Sequence, residues 1–213
     1  MEKQVIILTA MHGRHETVAK CYNKMKHLPV TFVYGYTLQS DGEFLDDLLD
    51  EGATYKAPNT PLWQKFQLGV GLAKNLNFDL AIMLGSDDYI DEKFLDFVCH
   101  QSEYYDFIGF NDIYFEENEK RYYWGGYTNQ RQGEPCGAGK VYTRKALEML
   151  NWDLYSQSID RGLDGHAWRR VKRFGLRCLV TSIKQHGLTL VDVKDGKGLT
   201  PLAAFKKDLE EIK

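Results

Sequence analysis

The hydrophobic pattern of the first hundred residues alternates between short apolar runs and longer segments with helical spacing. Val5–Thr9 and Leu80–Leu84 are nearly continuous apolar runs, which predict strands buried on both faces of a mostly parallel sheet. Thr31–Tyr34 and the shorter Thr54–Tyr55 predict further strands beside them. The chain therefore starts with strands that have no solvent-facing side.

Segments with helical spacing separate these strands. Pro61 suits the first position of a helix, and apolar residues then recur at helical spacing as far as Leu76. Gly69 and Gly71 lower the helix propensity of this segment but allow close approach to the sheet. Other helices are predicted over residues 16–27, 43–50 and 91–100. Three successive strand–helix units predict an α/β fold whose parallel strands are joined by right-handed crossovers.

The second half of the chain has a different pattern. Short aromatic segments between turn-rich loops predict added or mixed strands at Phe107–Phe110, Ile113–Phe115 and Arg121–Trp124. A glycine-rich passage follows, and then helices over 144–150 and 165–174 and a strand over 177–183.

We therefore expect a single α/β domain over residues 1–195, with a mostly parallel central sheet flanked by helices and a smaller mixed-strand part in the second half. This domain would have two parts of different pattern, residues 1–100 and residues 101–195. From Asp195-Gly196-Lys197-Gly198 onward, residues 196–213 are expected to form a linker-like tail with a short helix. Such a tail suggests part of a longer multidomain protein.

The composition excludes several classes of protein. Among 213 residues the net charge is −3, which offers no polycationic surface for nucleic acid. Four scattered cysteines without a Cys-x-x-Cys pair argue against a zinc ribbon and a disulfide framework, so a reducing, cytoplasmic location is expected. No apolar run reaches the roughly 18 residues of a membrane span.

Two adjacent carboxylates, Asp87 and Asp88, follow the apolar run Leu80–Leu84. Ligands of parallel sheets bind beyond the carboxyl ends of the strands, where two neighbouring anions need a compensating cation or hydrogen-bond donors. Mn²⁺ or Mg²⁺ prefers carboxylate and phosphate oxygens, and either could hold a diphosphate there. The alternative is that the pair forms a turn and caps the helix beginning near Asp91.

The order of these features resembles a glycosyltransferase of the GT-A fold, and is most similar to inverting, family-2-like enzymes. Gly85–Asp88 matches the acidic motif of that family, and Gly137–Leu147 matches a glycine-rich stretch leading into a helix with an Arg near its start. Leu163–Arg169 resembles the acidic residue that opens another helix, although Leu163 stands where Glu is usual. The small size and the tail also resemble transferase domains that glycosylate chlorovirus capsid proteins, which would place the chain in the host cytoplasm.

The resemblance implies roles for the acidic residues. Asp88 would be a metal ligand, and Asp87 beside it would hold the ribose or the metal. His186 would be a further metal ligand, although a lone histidine is more often structural. Asp164 would be the general base that accepts the proton of the acceptor hydroxyl, with Asp160 as the alternative. Asp164 could also simply cap its helix.

The resemblance also implies a nucleotide-binding half over about residues 1–100, with the donor pocket, and an acceptor half over about residues 101–195. Nucleotide-binding candidates, besides Asp87, lie after the first two strands and at the third helix: Thr9, Ala10, Arg14, Tyr36 and Lys65. Candidates for contact with the donor sugar or the acceptor are Trp124, Gly125, Gly126, Gly137 and Ala138. The alternatives are a surface arginine for Arg14, a solvated lysine for Lys65 and core packing for Trp124.

The expected activity is metal-dependent transfer of a sugar, of hexosyltransferase type, from a UDP-sugar to a glycan or glycoprotein acceptor with inversion. A nucleotidyltransferase that makes nucleotide sugars is one alternative. It would need a glycine-rich phosphate loop with basic residues after the first strand, and in that loop only Gly13 and Arg14 match this requirement. A second alternative is a non-catalytic carbohydrate-binding domain with the same fold. A third is a retaining transferase, which the anomeric configuration of the product would distinguish from an inverting one.

Overall fold

The apolar runs form the centre of a seven-stranded sheet, and a five-stranded sheet lies beside it. A computed structural model describes residues 3–59, 61–155, 162–198 and 200–212. The strands are β1 Val5–Ala10, β2 Val30–Tyr36, β3 Gly52–Lys56, β4 Leu80–Met83, β5 Asp88–Ile90, β6 Phe107–Phe110, β7 Ile113–Glu117, β8 Lys120–Trp124, β9 Lys140–Thr143, β10 Cys178–Thr181, β11 Leu190–Val193 and β12 Leu209–Ile212. The α-helices are α1 His15–Met25, α2 Gln39–Leu48, α3 Leu62–Ala73, α4 Glu92–Gln101, α5 Arg144–Met149, α6 Leu163–Arg173 and α7 Ile183–His186.

The larger sheet has the strand order β10-β6-β9-β4-β1-β2-β3. β4, β1, β2 and β3 run parallel to one another, and β10 runs parallel to β6. β9 lies antiparallel between β4 and β6. The predicted α/β domain with a mostly parallel central sheet is therefore confirmed, although the sequence pattern did not predict β9.

The smaller sheet, with the order β12-β8-β7-β11-β5, confirms the predicted mixed-strand part. It also takes strands that the pattern did not predict. β5 comes from the first half of the chain and lies antiparallel to β11, with Asp88 opposite Asp192. The two halves of the chain therefore share this sheet.

The tail differs from the linker-like segment that was expected. Residues 202–208 form a 3₁₀ helix, and β12 pairs antiparallel with β8. Leu202 is buried, and the ring of Phe205 lies 4.7 Å from that of Phe115 and 5.2 Å from that of Trp124. The tail thus completes the smaller sheet and covers part of its apolar side.

Helices pack against both faces of the larger sheet because the central strands are apolar on both sides. Ile7 of β1 belongs to the core beneath α1, α2 and α4, while Ile6 belongs to the core beneath α3, α5 and α6. None of the described helices has the length and apolar character needed to cross a membrane.

One close contact fixes α3 on the sheet. The Tyr55 hydroxyl of β3 donates a hydrogen bond of 2.7 Å to the backbone carbonyl of Lys65. A Cβ atom at Gly69 would lie 2.4 Å from this hydroxyl oxygen, whereas nothing lies within 4 Å of a Cβ at Gly71. Of the two helix glycines, only Gly69 is therefore required for the close approach that the sequence suggested.

Gly69→Ala is expected to destabilise the fold by about 1–3 kcal/mol, because the added methyl group overpacks against Tyr55. Gly71→Ala is the matched control in the same helix, and it is expected to stabilise the fold by about 0.5–1 kcal/mol. Urea unfolding measures both changes. In a Tyr55→Phe background, where the oxygen is gone, Gly69→Ala should cost less. An equal cost in both backgrounds would show that this contact does not set the requirement for glycine.

Candidate functional site

Three carboxylates form a group at the junction of the two sheets. Asp87, Asp88 and Asp192 each place a carboxylate oxygen within 4.8 Å of the others. The antiparallel pairing of β5 with β11 sets Asp88 opposite Asp192, and the turn after β4 adds Asp87. We call these three residues the acidic cluster.

The turn that leads into the acidic cluster requires glycine. The Gly85 amide donates a hydrogen bond of 2.5 Å to Oδ2 of Asp88. A Cβ at position 85 would lie 2.6 Å from Oδ1 of Asp87. Asp88 begins strand β5, while Asp91 caps α4 by accepting a hydrogen bond from the Phe94 amide. Capping of α4 is thus the role of Asp91, and the pair before it faces Asp192.

Two cations face the acidic cluster. The Arg14 guanidinium donates hydrogen bonds of 2.8 Å to Oδ2 of Asp87 and 2.7 Å to Oδ2 of Asp195. Lys194 donates one of 2.5 Å to Oδ2 of Asp192. Arg14, with 15% of its side chain exposed, is therefore a partly buried partner of the acidic cluster and not a free surface arginine.

The positive charge does not fully compensate the negative charge. Burial, together with the charges of Asp192 and Asp87, raises the pKa of Asp88 well above its ordinary value. Burial and the charge of Asp87 raise the pKa of Asp192 to about 6, against the opposite effect of Lys194. Oδ1 of Asp192 is buried and has no hydrogen-bond partner in the described part of the chain. Three oxygen ligands with unmet charge are a donor set that suits Mn²⁺ or Mg²⁺.

Of the three predicted metal ligands, the structure brings together Asp87 and Asp88 but not His186. His186 Nε2 lies 2.9 Å from Oγ1 of Thr181, and its ring packs against Phe97 at 4.7 Å. The third member of the acidic cluster is Asp192, which the sequence analysis missed. The signal that could have found it is a single carboxylate within the apolar run Leu188–Val193.

A second charged pair lies at the same end of the sheet. Oδ1 of Asp164, in the first turn of α6, lies 2.7 Å from Nζ of Lys140. Lys140 begins β9 opposite Met83, the last residue of β4, so the pair lies at the edge from which Asp87 and Asp88 follow. Gly162, and not Asp164, occupies the N-cap position of α6. The alternative base, Asp160, lies outside the described residues.

The ionisation of Asp164 is set by two opposing effects. Burial raises the pKa of its carboxyl group, but the adjacent Lys140 ammonium and then Arg131 outweigh burial and lower this pKa below its ordinary value. Asp164 is therefore a carboxylate at neutral pH.

The nucleotide-binding candidates surround the loop that follows β1. Arg14 lies at its end, and the Lys65 ammonium donates a hydrogen bond of 2.8 Å to the carbonyl of Met11 within it. Lys65 is buried and not solvated, and burial lowers its pKa. Oγ1 of Thr9 is buried without a hydrogen-bond partner among the described residues. Ala10 ends β1, and Tyr36 ends the neighbouring β2.

Two of the acceptor-side candidates, Trp124 and Gly126, have structural explanations for their positions. Trp124 is 5% exposed, and its ring meets those of Tyr127 and Phe205, so the structure places it in the core. At Gly126, with φ 95°, a Cβ would lie 2.0 Å from the Asn111 carbonyl oxygen. The position of Gly126 is thus explained by the backbone alone.

The other three acceptor-side candidates differ from one another. Gly125 is exposed, and Ala138 packs against the core. Gly137 lies against Asp164, since its Cβ would be 3.0 Å from Oδ2. Of the five acceptor-side candidates, Gly137 is the one placed directly beside the candidate base.

No protein-family model and no curated protein sequence matches the chain. Solved structures do match. S. aureus TarS has a TM-score of 0.64 and 13% identity, over 89% of this chain and 36% of that chain. S. aureus TarS 1–349 has a TM-score of 0.59 and 13% identity, over 89% of this chain and 60% of that chain. The same protein in complex with UDP-GlcNAc has a TM-score of 0.58 and 12% identity, over 96% of this chain and 64% of that chain.

The chain spans less than two thirds of each of these structures. At this level of identity the similarity concerns the fold alone, and it agrees with the α/β domain with a mostly parallel central sheet that the sequence predicts. The resemblance to chlorovirus transferase domains receives no support from these matches.

Asp192→Asn is expected to stabilise the fold in the absence of divalent cations. Because the pKa of Asp192 is raised to about 6, its ionised form is unfavourable in the folded state above that pH. The neutral amide removes a cost of about 1–3 kcal/mol. The gain should shrink as the pH falls below about 6, where wild-type Asp192 is itself protonated in the folded protein.

Thermal unfolding with EDTA or Mn²⁺ measures both effects. A cation at a hundredfold excess over its Kd stabilises the folded protein by about 2.7 kcal/mol, so Mn²⁺ should stabilise the wild type much more than Asp192→Asn. Asp96→Asn, which changes an exposed carboxylate on α4, is the control and should behave like the wild type. Equal Mn²⁺ shifts in the wild type and Asp192→Asn would remove Asp192 from the metal site.

Proposed function

We propose that the chain binds a UDP-sugar at the carboxyl ends of β1 and β4 and transfers the sugar to an acceptor hydroxyl. The observation that carries the proposal is the acidic cluster, with Arg14 beside it, at the ligand-binding edge of a sheet whose fold matches that of TarS. The structure of TarS in complex with UDP-GlcNAc supports a nucleotide sugar as the class of donor.

In this proposal Asp87, Asp88 and Asp192 hold Mn²⁺ or Mg²⁺. A bound divalent cation supplies positive charge against the diphosphate that leaves as the glycosidic bond breaks. The acidic cluster fits such an ion because, among the described residues, four carboxylates, those of the cluster and Asp195, pair with two cations, Arg14 and Lys194. An ion with two positive charges balances this set.

Arg14 and Lys65 are the basic residues of the donor pocket in this proposal. The guanidinium of Arg14 already binds two carboxylates, and the same fork of donors suits phosphate oxygens. Lys65 has its ammonium beside the loop after β1, close to where the nucleotide would lie. Thr9 adds a buried hydroxyl without a partner in the described part of the chain.

Asp164 is the proposed general base. An acceptor hydroxyl becomes a good nucleophile only as its proton leaves, and a carboxylate on the face opposite the leaving group can take that proton. Direct displacement with one base inverts the anomeric carbon. The lowered pKa of Asp164 keeps it ionised, and therefore able to accept a proton, at neutral pH.

The donor class is tested by thermal unfolding of the protein with UDP-GlcNAc, UDP-glucose and GDP-mannose, each with Mn²⁺ or EDTA. A UDP-sugar is expected to stabilise the wild type only with Mn²⁺. Asp88→Asn should lose this shift, and Asp96→Asn should keep it. The absence of a shift with any nucleotide sugar would contradict the proposed function and would favour a binding domain for the sugar chain alone.

Asp164→Asn is expected to reduce sugar transfer by about 10²–10⁴-fold, the usual contribution of a general base. Its affinity for the UDP-sugar should change little, because the base acts on the acceptor and not on the diphosphate. Release of UDP with a panel of glycan acceptors measures the rate, and isothermal titration measures donor affinity. Full activity in Asp164→Asn, with loss of activity in Asp160→Asn, would transfer the role to Asp160.

A further inference from the structure

Lys140 is a buried lysine that the proposed function does not yet use. It is 1% exposed, and its ammonium donates a hydrogen bond of 2.7 Å to Oδ1 of Asp164. In the described part of the chain this is the one hydrogen bond of that ammonium. A buried cation is costly unless it is paired, so the ion pair fixes both side chains.

The two oxygens of Asp164 have different surroundings. Oδ1 accepts the hydrogen bond from Lys140, whereas Oδ2 accepts none from the described residues. Oδ2 faces Gly137, where a Cβ would lie 3.0 Å away. The missing side chain at Gly137 leaves space beside Oδ2, and the Asp164 side chain as a whole is 37% exposed.

We propose that Lys140 is the positioning residue of Asp164: it holds Oδ1, keeps the carboxylate ionised, and leaves Oδ2 free to take the proton of the acceptor hydroxyl. The proposal rests on the proposed role of Asp164 as the general base. Lys140 touches neither reactant in this arrangement and acts only through Asp164.

The charges around Asp164 determine what the loss of Lys140 would do. Burial by itself raises the pKa of this carboxyl group, and two cations, Lys140 and then Arg131, lower it. Within the described ranges, the other titratable groups that interact with Asp164 are neutral at pH 7, because burial raises their pKa values: Tyr127, Cys136, Tyr142 and Tyr155. Without Lys140, burial is opposed mainly by Arg131, which also pairs with Glu134.

Lys140→Met is therefore expected to raise the titration midpoint of Asp164 by about 1–3 units, the scale on which an adjacent opposite charge acts. The midpoint is measured by carboxyl ¹³C NMR of the full chain, with Asp164→Asn to assign the signal. Lys140→Arg should keep the midpoint low. Lys145→Met, which removes an exposed lysine paired with Asp106, is the control and should leave it unchanged.

The pH profile of UDP release, measured with the donor that stabilises the wild type, tests the role in transfer. In Lys140→Met the acidic limb should move to higher pH by the same amount as the NMR midpoint, and the rate should recover above it. A merely structural lysine would lower the rate at all pH values. Asp164→Asn should not recover at any pH.

The outcomes separate the two proposals. A wild type that releases UDP, together with an unmoved midpoint or profile in Lys140→Met, overturns the role of Lys140 and leaves the proposed function standing. A wild type that acts on no nucleotide sugar overturns the proposed function, and with it the catalytic role of the pair.

If Lys140→Met is too unstable for NMR, the free energies of unfolding of Lys140→Met, Asp164→Asn and the double variant at pH 7 give the interaction energy between Lys140 and Asp164. A double variant more stable than either single variant is expected, because each single change leaves a buried group unpaired. If the losses of stability in the two single variants simply add in the double variant, Lys140 and Asp164 do not interact and the proposal fails.

Discussion

Repulsion among carboxylates at the junction of the two sheets is the constraint around which this end of the molecule is built. Strand pairing forces Asp88 and Asp192 to face each other, and the turn after β4 adds Asp87. The fold tolerates this arrangement by pairing it with the partly buried Arg14 and the buried Lys194. Arg14 also binds Asp195. Burial would raise the pKa of Asp195, but hydrogen bonds from Arg14 and Thr17 lower this pKa to about 2. The loop after β1, the end of β11 and the start of the tail are thus held together by charge.

The ion pair of Lys140 with Asp164 differs from the acidic cluster in its charge balance. Lys140 and Asp164 neutralise each other, so this pair has no excess charge, whereas the acidic cluster does. In the proposed function the excess negative charge of the acidic cluster serves to bind a divalent cation, which supplies the positive charge that a leaving diphosphate needs. The neutralised pair serves to keep a stable carboxylate as the base. The two arrangements lie at the same edge of the larger sheet because β9 runs antiparallel beside β4.

The sequence predicted the parts of the fold that depend on local pattern. Val5–Thr9 and Leu80–Leu84 are long apolar runs, and their burial on both faces is what makes them recognisable. β5, β9 and β11 have only three or four residues each, and their partners are distant in the chain, so no local period reveals them. The role of Asp192 was missed for this reason. For Lys65, the sequence could not distinguish a buried from a solvated side chain, because its position on a helix does not show which loop covers it.

The pairing of β5 with β11 has a consequence for the order in which the molecule acquires its parts. Asp88 belongs to the first half of the chain, while Asp192 comes from near its end, and β12 closes the same sheet later still. Contacts between such distant segments form slowly, because the intervening chain loses much of its freedom when they close. During synthesis on the ribosome, the acidic cluster is therefore incomplete until β11 has emerged. Until β11 has formed, a nascent chain has only Asp87 and Asp88 of the acidic cluster, without the carboxylate that faces them.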